Sequence, residues 1–269
     1  DSLNSLQLWL KKFPNQNPDK KEKKPFQLVL DALDLELKRL EYLKDDPLKG
    51  WWVQPLKLSL EDIQWLPQHV SANIVSLSGR ELIRELNIEN LQSQLLWKDK
   101  VMELGNCLLQ LPGGSIDLDG KLVYSALNYS GLFSPDVTLD LRLAPSRIAL
   151  RDVKHFLPKH LHHLNLDLEG KLKGNAKRLQ LDDFWLAVNR NALQAKLSGY
   201  MEGLDSNLRP FFKGEIERFE ADGYFLQDWY RINQGDELPA MVRELQYVRA
   251  YAWVEGYPND FSGKFNIKT

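Results

Sequence analysis

Between Ser115 and Tyr200 the chain repeats one pattern, an apolar residue at every second position with acids, lysines and asparagines between. Ile116, Leu118 and Leu122 alternate with Asp117, Asp119 and Lys121, and the same period returns in Leu139, Leu141 and Leu143 and in Leu164, Leu166, Leu168 and Leu172. A period of two puts the leucines of a strand on one side and its polar residues on the other. These are half-wetted strands. Repeated many times, with few helical segments to cover them, they predict a long antiparallel sheet with one apolar and one solvated face. The apolar face has three possible fates: the sheet folds or curls on itself, a second layer covers it, or an apolar ligand does.

Alternation begins upstream, at Phe26, Leu28 and Leu30, and slips in parity at Asp31–Leu33, as a bulge or tight bend would make it do. Strand is preferred to helix over 28–43, and strands are preferred over 80–97, where Leu82, Leu86, Leu91 and Leu95 also fit a helix. Pro112-Gly113-Gly114 is a turn. Gly120, Gly170 and Gly199 fall in or at the end of alternating strands in similar settings, which points to a repeated unit. Residues 1–25 read as a short helix or strand and a polar lysine-rich linker, 26–230 as the repetitive sheet, and 231–269 as a helix plus strands that continue or cap it. Short helical turns are predicted at 150–161, capped by Asp152 and carrying Val153, Phe156 and Leu157, and at 238–246; 205–212 reads as a further break in the strands. Further strands are predicted through Phe219, Ala221, Gly223 and Phe225 and over 248–254. The aromatic residues of the C-terminal part read as core of a second layer in preference to a partner surface.

Thirty-five lysines and arginines against 37 acids leave a formal charge of -2, with the signs interspersed and no footprint for nucleic acid. The single cysteine, Cys107, excludes an intrachain disulfide framework. No apolar run reaches the length of a membrane-spanning helix. The chain starts without methionine and ends in mid-alternation, which reads as a segment of something longer.

Enzyme chemistry finds no support in the motifs. His160, His162 and His163 cluster, but a loop after Pro158 accounts for them without a metal. Asp182 and Asp183 point to opposite sides if extended, and read as a turn between Leu181 and Phe184. Nucleophile elbow, phosphate loop and zinc-helix signatures are missing. The chain therefore reads as a non-enzyme without cofactor or metal.

The island Leu150-Arg151-Asp152-Val153-Lys154-His155-Phe156-Leu157-Pro158, the run Leu164-Asn165-Leu166-Asp167-Leu168-Glu169-Gly170-Lys171-Leu172-Lys173-Gly174, and Leu179-Gln180-Leu181 leading to Leu197-Ser198-Gly199 resemble the TamB-like and wider AsmA-like envelope proteins of Gram-negative bacteria. Leu77-Ser78-Gly79 and the Pro112–Ser115 turn fit the same order of elements, over residues 26–230. The resemblance implies an all-β fold, a long antiparallel sheet curled into an open hydrophobic trough like a taco, with short helical insertions. It also implies a periplasmic location, tethered to the inner membrane by an anchor outside this segment. The expected activity is phospholipid transport between inner and outer membranes, acyl chains lying against the apolar face. An outer-membrane β-barrel partner, reached through other regions, would link the protein to barrel assembly.

The expected lining residues are Leu118, Leu122, Leu139, Leu141, Leu166, Leu168, Leu181, Leu186, Leu197 and Phe225, with Asp117, Asp119, Asp140, Asp167, Glu169 and Lys171 facing water. At about 0.8 kcal/mol per methylene, a sixteen-carbon tail moved from water onto such a surface gains roughly 13 kcal/mol, and almost nothing when moved from a bilayer. A uniform aliphatic surface therefore guides lipid rather than gripping it. The rival reading is a structural β-solenoid or sandwich module, its leucine face closed in its own core, that binds protein or glycan.

Overall fold

The computed structural model describes residues 27–42, 51–124, 136–204, 210–234, 243–244, 246–257 and 260–269. The readings for 1–25, and for most of 238–246 and 205–212, lie outside them. The strands are β1 (Leu28–Leu37), β2 (Leu40–Tyr42), β3 (Trp51–Leu66), β4 (His69–Glu81), β5 (Leu86–Lys98), β6 (Val101–Leu111) and β7 (Gly114–Tyr124). They continue as β8 (Val137–Ala149), β9 (Asn165–Gly174), β10 (Arg178–Val188), β11 (Leu193–Glu202), β12 (Phe211–Asp222), β13 (Tyr247–Tyr257) and β14 (Asp260–Lys268). All fourteen belong to one antiparallel sheet in the order of the sequence, with β2 extending β1 along the edge of β3.

The alternation thus names the strands and their pairing, but the trough is overturned. The ordered path runs from β1 to β14 without closing, and the sheet is not strongly curled. Packing between strands is concentrated in hydrogen-bonded neighbours. Period-two spacing decides which face a residue takes. It says nothing of how far successive strands rotate about one another, and curling depends on that rotation.

Irregularities carry an amino-acid signature. Asp62, Asn106 and Asp183 have φ of 52°, 49° and 48°, and each lies where the register of β3, β6 or β10 shifts. Asn and Asp enter this left-handed region at least cost among residues with a side chain. Neighbouring strands brace two of the bulges: Asn73 Nδ2 donates to the side-chain Asp62 Oδ2 at 2.8 Å, and Asp119 Oδ1 accepts from the freed Asn106 N–H at 2.7 Å. Asp182-Asp183 is therefore a bulge inside β10 and not a turn. The parity slip in β1 falls between the pairs Leu30–Ile63 and Ala32–Glu61, facing the Asp62 bulge without changing the register of β1 against β3.

Helical structure gathers at one end. Leu150–Phe156 and Lys159–Leu161 form short 3-10 turns, and α1 spans Gly223–Gln234. The turn at 150 is found where predicted, but Asp152 caps nothing there, and its Oδ2 instead accepts from Gly113 N–H, 2.7 Å away in the β6–β7 turn. The strand expected through Gly223 and Phe225 is replaced by α1. Asp222 Oδ1 accepts from the N–H groups of Tyr224 (2.8 Å) and Phe225 (3.2 Å), the bonds of a helix N-cap. Strands β13 and β14 continue the sheet beyond α1.

Two apolar clusters mark the ends of the leucine face. One holds Leu122, Val137, Leu139 and Leu179, with Met102, Tyr124, Leu172 and Met201 against them. The other joins Leu150, Leu164 and Val188 to Val153, Leu157 and Leu161 of the helical turns and Phe225 of α1.

Candidate functional site

Pairing residues across the sheet resolves its apolar side into rows. One runs Trp65, Val70, Trp97, Met102, Leu122, Leu139, Gly174, Leu179, Met201, Phe212 across β3 to β12. Two residues further along each strand lies Leu95, Leu104, Gly120, Leu141, Leu172, Leu181, Gly199, Gly214. A third includes Leu168, Leu186, Ala195 and Phe219. Directly paired residues share a face, so the rows form one apolar surface spanning at least eight successive strands. Glycine is needed where rows crowd: a Cβ on Gly199 would lie 2.6 Å from the Cα of its partner Gly214.

Nine of the ten expected lining residues stand in these rows or the parallel ones, namely Leu118, Leu122, Leu139, Leu141, Leu166, Leu168, Leu181, Leu186 and Leu197. Their surroundings differ. Leu122 and Leu139 are 4% and 5% exposed and Leu181 is buried, whereas Leu118, Leu141, Leu166, Leu168, Leu186 and Leu197 are half-buried. Phe225 is not on a strand; it reaches the helical end from α1, where Leu166 and Leu186 also pack. All the strands lie in one sheet, so no second sheet faces this surface among the described residues.

The other face is a lattice of charges. Glu103–Lys121 (3.1 Å), Asp140–Lys173 (3.2 Å) and Lys213–Glu255 (3.0 Å) pair across neighbouring strands in one row. Arg147 holds Asp167 through Nε at 2.5 Å and Nη2 at 3.0 Å, leaving Asp167 half-buried. Asp117, Asp119, Asp140, Glu169 and Lys171 are exposed. The depression of about 620 Å³ over β3–β7 is lined by polar residues such as Gln64, Asn73, Gln94, Glu103, Asp119 and Lys121, reaches Leu95, Leu104 and Gly120 of the second row, and includes none of the ten expected lining residues.

Lys196 binds two acids at once, Asp183 Oδ1 at 3.0 Å and Glu217 Oε2 at 2.7 Å, joining β10, β11 and β12. Its hydrogen bonds to Glu217 and then Asp183 push the ammonium up to about 12, and the bond to Lys196 holds the Asp183 carboxyl below its ordinary range. A depressed carboxylate stabilises the fold above its unfolded pKa and loses that contribution as pH falls through the folded value. A raised lysine stabilises below its ordinary 10.5 and loses the contribution as pH rises through about 12. Lys196→Met is therefore expected to make stability fall less steeply both below the ordinary aspartate range and through the alkaline window. Urea unfolding at acid, neutral and strongly alkaline pH measures it; parallel curves for parent and variant would contradict the assignment.

The histidines have separate surroundings. His155 Nε2 is 3.8 Å from Glu85, whose carboxyl is lowered chiefly by its hydrogen bond to Lys154. The His160 ring meets Trp229 edge-on at 6.3 Å, and His162 Nε2 lies 3.0 Å from Leu157 O. Burial is the main reason the Cys107 thiol is pushed up, which makes it a poor nucleophile. Sequence reading missed the Lys196 triad, whose signal is visible only after register is known, and the outward placement of Trp65 and Trp97, which composition cannot distinguish from core indoles. No protein-family model, no curated protein and no solved structure matches the chain.

Proposed function

We propose that the leucine face is a hydrocarbon-bearing surface, and that the protein handles phospholipid without catalysis, its tails lying along the rows and its headgroups remaining in water. The observation that carries this reading is the segregation itself. The first two apolar rows run across at least eight successive strands and the third ends at Ser146 opposite Leu168, while the charges of the same strands stand on the other side. The half-buried middle of the face, at Leu168 and Leu197, which belong to neither end cluster, is the place for an acyl chain. A surface of this kind needs no enclosure: with no polar group repeated along a row, a chain meets no deep trap as it slides. Kinship with TamB-like and AsmA-like proteins, a periplasmic location with an inner-membrane tether, transfer between the two membranes and a barrel partner all belong to this proposal. They rest on the ordered strand motifs quoted from the sequence.

A second reading is favoured by the two buried clusters, which are already packed without ligand: a structural sheet whose apolar side is self-covered and whose polar side binds protein or glycan. Native mass spectrometry of the purified protein, with a photoreactive fatty acid added, separates the two. Hydrocarbon occupancy with crosslinks at Leu168 and Leu197, lost in a folded Leu168→Glu variant, supports the lipid reading. No occupancy and no crosslink in folded parent protein favours the structural one.

A further inference from the structure

The hairpin tips joining β3 to β4 and β5 to β6 carry two indoles where a core residue would be covered. Trp65 and Trp97 are 53% and 50% exposed, although both occupy the first apolar row. Val70 pairs with each of them, so the indoles flank it two strands apart, roughly 10 Å across the sheet. With Leu66 and Pro67 they bound a depression of about 470 Å³ whose rim carries Lys100. Lys98 and Lys100 are both exposed and bracket Asp99.

We propose that this rim docks on an anionic phospholipid surface, the two indoles entering the headgroup layer and Lys98 and Lys100 meeting phosphates. Three observations select that occupant. Trp65, Leu66, Pro67, Val70 and Trp97 make most of the wall apolar, with Gln68, His69, Asp99 and Lys100 completing it, and indoles partition to the boundary between hydrocarbon and headgroups. The Trp97 Nε1–H donates to Asp99 O at 3.2 Å, so that ring enters an apolar layer without stranding a donor. The tip is also braced before contact, because Asp99 N–H donates to Gln68 O at 3.0 Å and ties one hairpin to the other. Little ordering remains to be done on binding. Charge is locally favourable although the whole chain is slightly acidic: two lysines stand beside one aspartate, with His69 paired to Lys98 across β4 and β5.

This inference uses strand ends instead of mid-strand leucines, so it stands or falls separately from the acyl-chain reading. The test is cosedimentation of the full chain with vesicles of phosphatidylcholine alone or with 30% phosphatidylglycerol, alongside quenching of tryptophan fluorescence by lipid brominated near the headgroup. Parent protein is expected to bind the anionic vesicles at least tenfold more tightly than the neutral ones and to be quenched. Trp65→Ser with Trp97→Ser should cost about tenfold in binding and remove most of the quenching, with the circular dichroism unchanged. Lys98→Glu with Lys100→Glu should abolish the preference for anionic lipid, and decides the matter if the tryptophan variant does not fold. Leu168→Glu should leave vesicle binding intact even where it removes bound hydrocarbon. Parent protein that ignores anionic vesicles, or folded variants that bind like the parent, would overturn the proposal and leave the rim to a protein partner.

Discussion

Valine in place of Gly170 is expected to lower the unfolding free energy by about 3–4 kcal/mol, the sum of a strained backbone and a steric clash. Gly170 has φ of +148°, and a Cβ there would sit 2.8 Å from the Phe184 Cα and 2.9 Å from its Cδ2. It lies beside the Asp182-Asp183 bulge, where β10 steps out of register with β9. The larger side chain would have to push β10 away from β9 where pairing is already interrupted. Gly105→Ala provides the control, since its nearest neighbour would be the Gln94 Oε1 at 3.5 Å, ordinary contact. Urea titration should show that control within about 0.5 kcal/mol of the parent. Equal losses in both variants would mean that the cost is generic to glycine in strands and owes nothing to the bulge.

Leu139→Ala is expected to cost about 3 kcal/mol, within the range for leucine removed from a close-packed site. Leu139 pairs with Leu122 on one side and Gly174 on the other and packs within the cluster completed by Val137 and Leu179. The same truncation at half-buried Leu168 should cost less than half as much, because fewer atoms are left facing a void. Thermal or urea unfolding of the two variants compares the packed end of the face with its middle. A Leu139 loss no larger than that at Leu168 would show the end cluster to be as open as the middle.

These contrasts also show what the amino-acid pattern can convey. Leu118, Leu141 and Leu168 were assignable to one face because parity decides it within an uninterrupted run, whereas Leu186 shares the face of Leu181 only because the Asp182-Asp183 bulge shifts the parity of β10. Gly223 and Phe225 misled for the same reason: they keep the parity of Phe219 and Ala221, while the switch to α1 is triggered by one capping carboxylate at Asp222 that looks like any polar strand position. Sheet curvature was out of reach because it accumulates from small rotations between strands that no single residue encodes. The depth of each leucine was equally hidden. Leu139 and Leu168 have the same spacing and neighbours of the same type, yet their exposure depends on which loops and turns fold back at either end. The Lys196 triad required three strands in known register before its charges could be brought together.

The sequential order of the strands has a mechanical and kinetic consequence. From β4 to β13 each strand is hydrogen-bonded to the one before and the one after, so the molecule is close to a one-dimensional array in which an insult at one position is felt mainly by adjacent members. Assembly can proceed as zippering, strand upon strand, with short loops closed at most steps and longer connections where the 3-10 turns join β8 to β9 and where α1 lies between β12 and β13. A pull applied at the edge strand β14 would accordingly detach it first and leave its inner neighbours paired, whereas a load spread along the strands is shared by many bonds in parallel.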